Sequence, residues 1–361
     1  MRADPRVPVL RWLFFHLLSG GGLLQIQAVG DGPHWTHTGS HGQSHWAELF
    51  PSCGGLSQSP VNIETGCVKL DPSLHPIEPQ GYSSPSSDFF TLENNGHSVE
   101  MSLPGSMSLS RRFTAAQLHL HWGSGGNGAG SEHLIDWQAS PAELHVVHFN
   151  SEKYPNVSVA RNQSDGLAVL GILIEVGEET NPAYEKIFNY LGYVKYAGQK
   201  VLLPSFDVGA LLPERLDRFF RYNGSLTTPP CFQSVQWTVF HQKVSLSRSQ
   251  IEKLRTTLLS SELGVLPPTP LVDNFRAPQP LNQRVVLVSF PLADARVVYS
   301  IGEIFAVIAG ILFGALGIIL TAHFLIKGIR SKKHREPKQE VIYKACNPEE
   351  EVVQQQEQQQ P

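Results

Sequence analysis

The sequence predicts a mainly β extracellular domain tied to a membrane by one C-terminal helix. Three observations carry that reading: short β-rich runs such as ELHVVHF, GLAVLGILIEV, VQWTVF and RVVLVSF; turn-forming clusters of Gly, Pro, Asn and Ser between them; and a long uncharged apolar run near the C-terminus. With 361 residues, 41% of them hydrophobic and 17% charged, the chain has the composition to bury a substantial core. A formal net charge of -4 and the lack of a long basic stripe argue against a nucleic-acid partner.

From the N-terminus, Arg2, Arg6 and Arg11 lead into WLFFHLLSGGGLLQIQA, which reads as a secretory signal peptide over residues 1–28. A buried helix there would be broken by Gly20, Gly21 and Gly22. Between residues 31 and 292 no repeat, low-complexity linker or charge block marks a boundary, so a single domain is expected. Helical pattern within it is brief. Asn181-Pro182 can start a helix over AYEKIFNYLGYV, and SRSQIEKLRTTLLSS reads as a second, both peripheral to a large sheet.

Residues 293–303 form a juxtamembrane linker, and residues 304–326, IFAVIAGILFGALGIILTAHFLI, carry no formal charge. That run is long enough to cross the ~30 Å hydrocarbon core as a helix. Lys327, Arg330, Lys332, Lys333 and Arg335 follow, so the positive-inside rule puts the C-terminus in the cytoplasm and the large N-terminal part outside the cell. Ala306, Gly310 and Gly314 give the helix a face of small residues that admits a homodimer through Gly310 and Gly314. The tail over 327–361 ends in EEEVVQQQEQQQP, too polar to fold alone, and is expected to be disordered.

The extracellular placement makes two kinds of covalent chemistry available. Asn156-Val-Ser, Asn162-Gln-Ser and Asn223-Gly-Ser are glycosylation sequons. Cys53, Cys67 and Cys231 lie in an oxidising compartment that favours pairing two of them, which leaves three pairings open. Cys346 is cytoplasmic and reduced on this reading.

The candidate chemistry starts in QLHLHWG at 117–123. In a strand, Gln117, His119 and His121 share one face while Leu118 and Leu120 take the other. Two histidines among 15 are a weak metal signal alone. AELHVVHF supplies a third, because Glu143, His145 and Val147 share a face opposite to Leu144, Val146 and His148. If the two strands are neighbours, three neutral imidazoles meet and leave a tetrahedral Zn(II) one open position, as a catalytic site requires. Gln117 and Glu143, polar residues on the same faces, suit acceptors for the second ring nitrogens.

QLHLHWG, followed by GSEH at 130–133, AELHVVH and SLTTPP at 225–230, resembles the α-class carbonic anhydrases. QSPVNI at 58–63, NNGH at 94–97 and VDNFRAPQPLNQR at 272–284 extend the resemblance over about residues 34–290, and the flanking segments are similar to those of membrane-anchored members. The resemblance implies a central, mostly antiparallel twisted sheet of about ten strands with peripheral helices, and a catalytic domain over 31–292. It implies hydration of CO2 to bicarbonate and a proton, with Zn(II) as cofactor and a role in extracellular pH. His119, His121 and His145 match the zinc ligands, and Gln117 and Glu143 their partners. Thr227 and Glu132 match the pair that aims the attacking hydroxide, Thr228 a residue touching substrate or anions, and His97 the proton shuttle. Val147, Val169, Leu226, Val235 and Trp237 match the apolar wall for CO2. The resemblance also selects Cys53 with Cys231 as the disulfide, leaving Cys67 free or available to link two subunits.

Two departures from the family pattern stand out. The chain reads HWTH at 34–37 where the family usually has Tyr, which places His37 in the cavity's water network, and Glu100 stands where relatives often carry an amide or a base. The alternative to an enzyme is a catalytically silent adhesion or receptor ectodomain of the same family, but such chains lose one or more zinc histidines, and this one keeps all three.

Overall fold

Residues 34–110, 112–125, 128–292 and 301–333 are described by the structure, a computed structural model. The expected signal peptide, the tail beyond 333 and the linker before 301 lie outside the described residues. The chain falls into two units, Met1–Arg296 and Val297–Pro361.

The first unit is built on strands β1 (Asn62–Ile63), β2 (Lys69–Leu70), β3 (Pro79–Gln80), β4 (Phe89–Asn94), β5 (Val99–Ser102), β6 (Ser108–Leu109), β7 (Phe113–Trp122), β8 (Leu134–Ile135), β9 (Ala142–Asn150), β10 (Leu167–Gly177), β11 (Lys200–Pro204), β12 (Phe219–Gly224), β13 (Val235–Phe240), β14 (Val244–Ser247) and β15 (Leu287–Val288). Ten of them run in the order β11-β4-β5-β7-β9-β10-β13-β12-β15-β2, and β14, β3 and β6 attach beside that path to give 13 strands. Most neighbours are antiparallel; β10 pairs in parallel with β13 and β14, and β15 with β2. The central strand β10, LAVLGILIEVG, is buried on both faces over most of its length, which is why it reads as a continuous apolar run.

Period-two alternation divides the core. Leu118, Leu120 and Trp122 of β7, Leu144 and Val146 of β9, and Leu170 and Ile172 of β10 share one apolar cluster. Val147, Val169, Val235 and Trp237 belong to a second, on the other face. A register shift between Ala115 and Gln117 marks a β-bulge in β7. The extra residue, Ala116, gives its carbonyl to Leu103 N at 3.0 Å. Because of it Ala115 joins the same cluster as Leu118, although strict alternation would place them on opposite faces.

The helices are short and peripheral: α1 (Trp46–Leu49), α2 (Val157–Ala160), α3 (Pro182–Phe188) and α4 (Arg248–Thr257). Asn181 caps α3 by accepting from Ala183 N and Tyr184 N. The helix expected to run on through LGYV stops at Phe188, and Leu191–Val194 continues as a 3-10 turn. Ser247 and Gln250 form a capping box on α4, which ends where buried Leu258 turns extended and Leu259 N bonds Lys195 O at 2.8 Å. The second unit is α5 (Ile301–Lys333), whose Phe305–Arg330 segment is long and apolar enough to cross a membrane.

Candidate metal centre

The β7–β9 register sets His119 opposite His145 and His121 opposite Glu143. The three imidazoles converge: His145 Nδ1 lies 3.1 Å from His121 Nε2 and 3.3 Å from His119 Nε2. Each remaining ring nitrogen faces an acceptor. His119 Nδ1 donates to Gln117 Oε1 at 2.9 Å, His121 Nδ1 to the Asn274 carbonyl at 2.7 Å, and His145 Nε2 to Glu143 Oε1 at 2.8 Å. These acceptors fix the protons on the outer nitrogens, so three lone pairs point at one another.

Such an arrangement repels itself unless a cation lies between the lone pairs. Zn–N bonds of about 2.0–2.1 Å at tetrahedral angles put the nitrogens ~3.3 Å apart, close to the 3.1 and 3.3 Å separations observed. Burial, then the neighbouring His121 and His145, holds His119 well below the ordinary histidine value; burial likewise lowers His121 against the opposing pull of Glu132. The donor set, with His121 and His145 buried and His119 half-buried, is one that could hold a metal ion.

Glu143, fully buried, gathers four hydrogen bonds. Oε1 accepts from His145 and from His133 Nδ1 at 2.7 Å, and Oε2 from the backbone N–H of Glu132 at 2.9 Å and His133 at 2.8 Å. Burial alone would raise its pKa; the charges and hydrogen bonds of His133 and His145 outweigh that and hold it well below the carboxylate range. His133, Glu143 and His145 form a second cluster of ligand atoms, but its nitrogens and oxygens are already engaged in these bonds, so it supports the triad. His133 Nε2 continues to the Tyr222 hydroxyl at 2.7 Å, which donates to Ser59 Oγ at 2.9 Å. Gly171, opposite His145 on β10, leaves room for this network: a Cβ there would sit 3.0 Å from Glu143 Oε1.

Glu132 is also fully buried. Its Oε1 accepts from Arg276 N at 2.8 Å, while Oε2 has no hydrogen-bond partner among the described residues and lies 3.5 Å from His121 Nε2 and 3.8 Å from His145 Nδ1. Thr227 is buried in the loop after β12, and among the described residues no hydrogen bond joins it to Glu132. That loop is tied at both ends. Ser225 exchanges bonds with Ser59, and Cys231 is disulfide-bonded to Cys53, which resolves the three pairings and leaves Cys67 free and exposed. The Arg276 guanidinium donates to Gln58 Oε1, Ser59 O and Cys53 O, bracing the segment beneath.

The apolar wall follows from register. Val147 pairs with Val169 and Val169 with Trp237, a row across β9, β10 and β13 that ends with the indole 4.8 Å from the His145 ring. Val235 lies in the same cluster with Leu226 packed against it, and Thr228, half-buried, accepts from Cys231 N at 2.9 Å. His148 points to the other face, as alternation requires, and bonds the Tyr82 hydroxyl.

His97 sits in the turn between β4 and β5, where Asn95 Oδ1 accepts from its backbone N at 3.0 Å. Its ring lies flat on Trp35 at 3.8 Å, and burial with nearby His34 lowers it to about 4. Glu100 pairs with His119 across β5 and β7; burial and Glu93 raise its pKa, partly offset by Lys200. Asn156, Asn162 and Asn223 are all exposed.

Sequence reasoning missed Asn274, His133 and Tyr222. A backbone acceptor such as the Asn274 carbonyl leaves no mark in side-chain pattern, whereas His133 was within reach as the neighbour of Glu132 in GSEH.

A family model described as eukaryotic-type carbonic anhydrase matches residues 41–290. Carbonic anhydrase 12 of Homo sapiens is 43% identical over 319 residues, 87% of this chain and 89% of that protein. Carbonic anhydrase 6 of Homo sapiens is 38% identical over 295 residues, 80% and 90% of the two chains, and its Bos taurus counterpart 39% over 263 residues, 71% and 80%.

Two outcomes follow from the geometry. Gly171→Ala presses on a carboxylate that cannot yield, and is expected to cost about 1–3 kcal/mol of stability, read as a lower melting temperature. In metal-depleted protein, the unfolded chain protonates its histidines near the ordinary value of 6.5 while buried His119 and His121 resist. Stability is thus expected to fall as pH drops through 6.5, with a further loss below 4.5 from Glu143, in urea unfolding followed by tryptophan fluorescence.

Proposed function

Since the chain belongs to the eukaryotic-type carbonic anhydrase family and has carbonate dehydratase activity, we propose that it is a zinc enzyme of the cell surface. On this reading it interconverts CO2 with bicarbonate and a proton and sets extracellular pH. One observation carries the proposal above all: three imidazole lone pairs converge while every outer ring nitrogen is engaged by a protein acceptor.

His119, His121 and His145 hold the metal, with Gln117, Asn274 and Glu143 keeping their rings aimed. A Zn(II) ion held there would acidify bound water so that hydroxide is available near neutral pH. In the reacting site Thr227, not bonded to Glu132 among the described residues, would donate its hydroxyl hydrogen bond to Glu132 Oε2, which as a carboxylate can only accept. The Thr227 oxygen is then left to accept from the attacking hydroxide and to turn that oxygen's lone pair toward carbon. CO2, apolar and uncharged, rests on Val147, Val169, Leu226, Val235 and Trp237, while Thr228 contacts the bicarbonate formed. His97 takes up the released proton through water and passes it to buffer. Burial, with nearby His34, lowers its pKa to about 4 where it lies on Trp35, so carrying charge calls for a more water-exposed position of the ring.

The cell-surface assignment draws on the signal-like N-terminus, the apolar α5 with its basic flank, the exposed sequons and the disulfide. A homodimer would use the face of small residues formed by Ala306, Gly310 and Gly314.

Zinc analysis and stopped-flow CO2 hydration on the full-length protein in detergent test the proposal. Stoichiometric zinc and saturable hydration are expected, with both lost in His119→Ala. Thr227→Ala is expected to keep its zinc and lose about 10²-fold in kcat/KM. A folded, zinc-free product, or full activity in His119→Ala, would overturn the reading.

A further inference from the structure

Away from the metal centre, the Arg218 guanidinium stands 4.2 Å over the Phe290 ring, and its Nε is buried with no hydrogen-bond partner among the described residues. Asp217, its neighbour in sequence, is taken by Arg215 instead, whose Nε and Nη2 donate to the two carboxylate oxygens at 2.8 and 2.7 Å. Both arginines project from one turn, closed by Arg218 N donating to Arg215 O at 3.3 Å. That turn is fixed from outside as well. Leu216 O accepts from Ile77 N at 3.0 Å, Asp217 O from Ser289 Oγ at 2.7 Å, and Arg215 N donates to Gln242 Oε1 at 2.8 Å.

Arg215, Asp217 and Arg218 line a cavity of about 360 Å³, whose other walls are mainly apolar: Leu74, Pro76, Phe290 and Pro291. These walls are anchored, since Leu74 packs against the cluster that holds Leu118 and Phe290 belongs to the one that holds Val147. With Nε closed off and Phe290 beneath the guanidinium, the terminal Nη1 and Nη2 edge is what Arg218 offers the cavity. Such an edge matches two oxygens of one anion through parallel, charge-assisted hydrogen bonds. Two guanidiniums against one carboxylate leave an uncompensated positive charge among the lining groups. The apolar walls add a second requirement. A fully hydrated anion such as phosphate or bicarbonate would leave them facing water, whereas an apolar body covers them. We propose that this cavity binds a small organic carboxylate, its head on Arg218 and its hydrocarbon body against Leu74, Pro76, Phe290 and Pro291.

None of these residues takes part in the proposed hydration of CO2, so binding is measured in metal-depleted protein, where zinc offers carboxylates no second place to bind. Butyrate is titrated into the full-length protein in detergent, followed by NMR of labelled arginine and histidine side chains. The Arg218 Nε–H signal is expected to shift saturably while the signals of His119, His121 and His145 stay put. Affinity is expected to rise about fourfold per methylene from acetate to butyrate. It is expected to fall about tenfold in Arg218→Gln, and to fall also in Arg218→Lys, which keeps the charge without the fork. Both variants are expected to keep the circular dichroism of the unaltered protein, so that lost binding is not lost fold. No saturable shift, equal affinity in Arg218→Gln, or inorganic phosphate or bicarbonate binding as tightly as butyrate would each overturn the carboxylate site.

Discussion

The site depends on one electrostatic constraint: three lone pairs must be kept facing one another in a buried space. Nothing in the triad stabilises that arrangement without a metal, so the surrounding protein has to enforce it. Enforcement is by hydrogen bonding of the far nitrogens, each through an acceptor of a different kind: an amide on the same strand, a backbone carbonyl from a distant loop, and a carboxylate two residues away. The strands add the second half of the constraint, because the β7–β9 register brings His119 and His145 side by side.

Glu143 shows how the cost of this arrangement is spread. A buried carboxylate is tolerated only when its lone pairs are filled, and here two imidazoles and two backbone N–H groups fill them. The backbone donors belong to Glu132 and His133. The anion that supports one histidine of the triad therefore also positions the carboxylate expected to orient Thr227. Farther out, Arg276 reaches Glu132 through its backbone and the Cys53 segment through its side chain, coupling the disulfide-braced loop to the same centre.

Much of this was legible in the sequence because strands have period two. Alternation alone separated His145 from His148, and the structure finds the first among the ligand atoms and the second against Tyr82. The transmembrane candidate was legible because its apolar run ends in a basic cluster. What escaped was contributed by backbone or by contacts distant in sequence: the Asn274 carbonyl, the Tyr222–Ser59 extension and the bulge at Ala116. The disulfide was beyond cysteine counting and came only through family resemblance. The two main helices proved shorter than their patterns, since buried Leu258 and the turn at Leu191–Val194 are set by packing that no local propensity records.

The bulge at Ala116 gives β7 two phases. Phe113 and Ala115 before it, and Leu118, Leu120 and Trp122 after it, address the same apolar layer, so a single strand reads one environment in two frames. After the bulge, drift at Leu118, Leu120 and Trp122 is screened by the stability of the core, and drift at Gln117, His119 and His121 by the demands of the histidine triad. Alternation, in the phase that the bulge sets, is therefore what separates foldability from ligand geometry inside ten continuous residues.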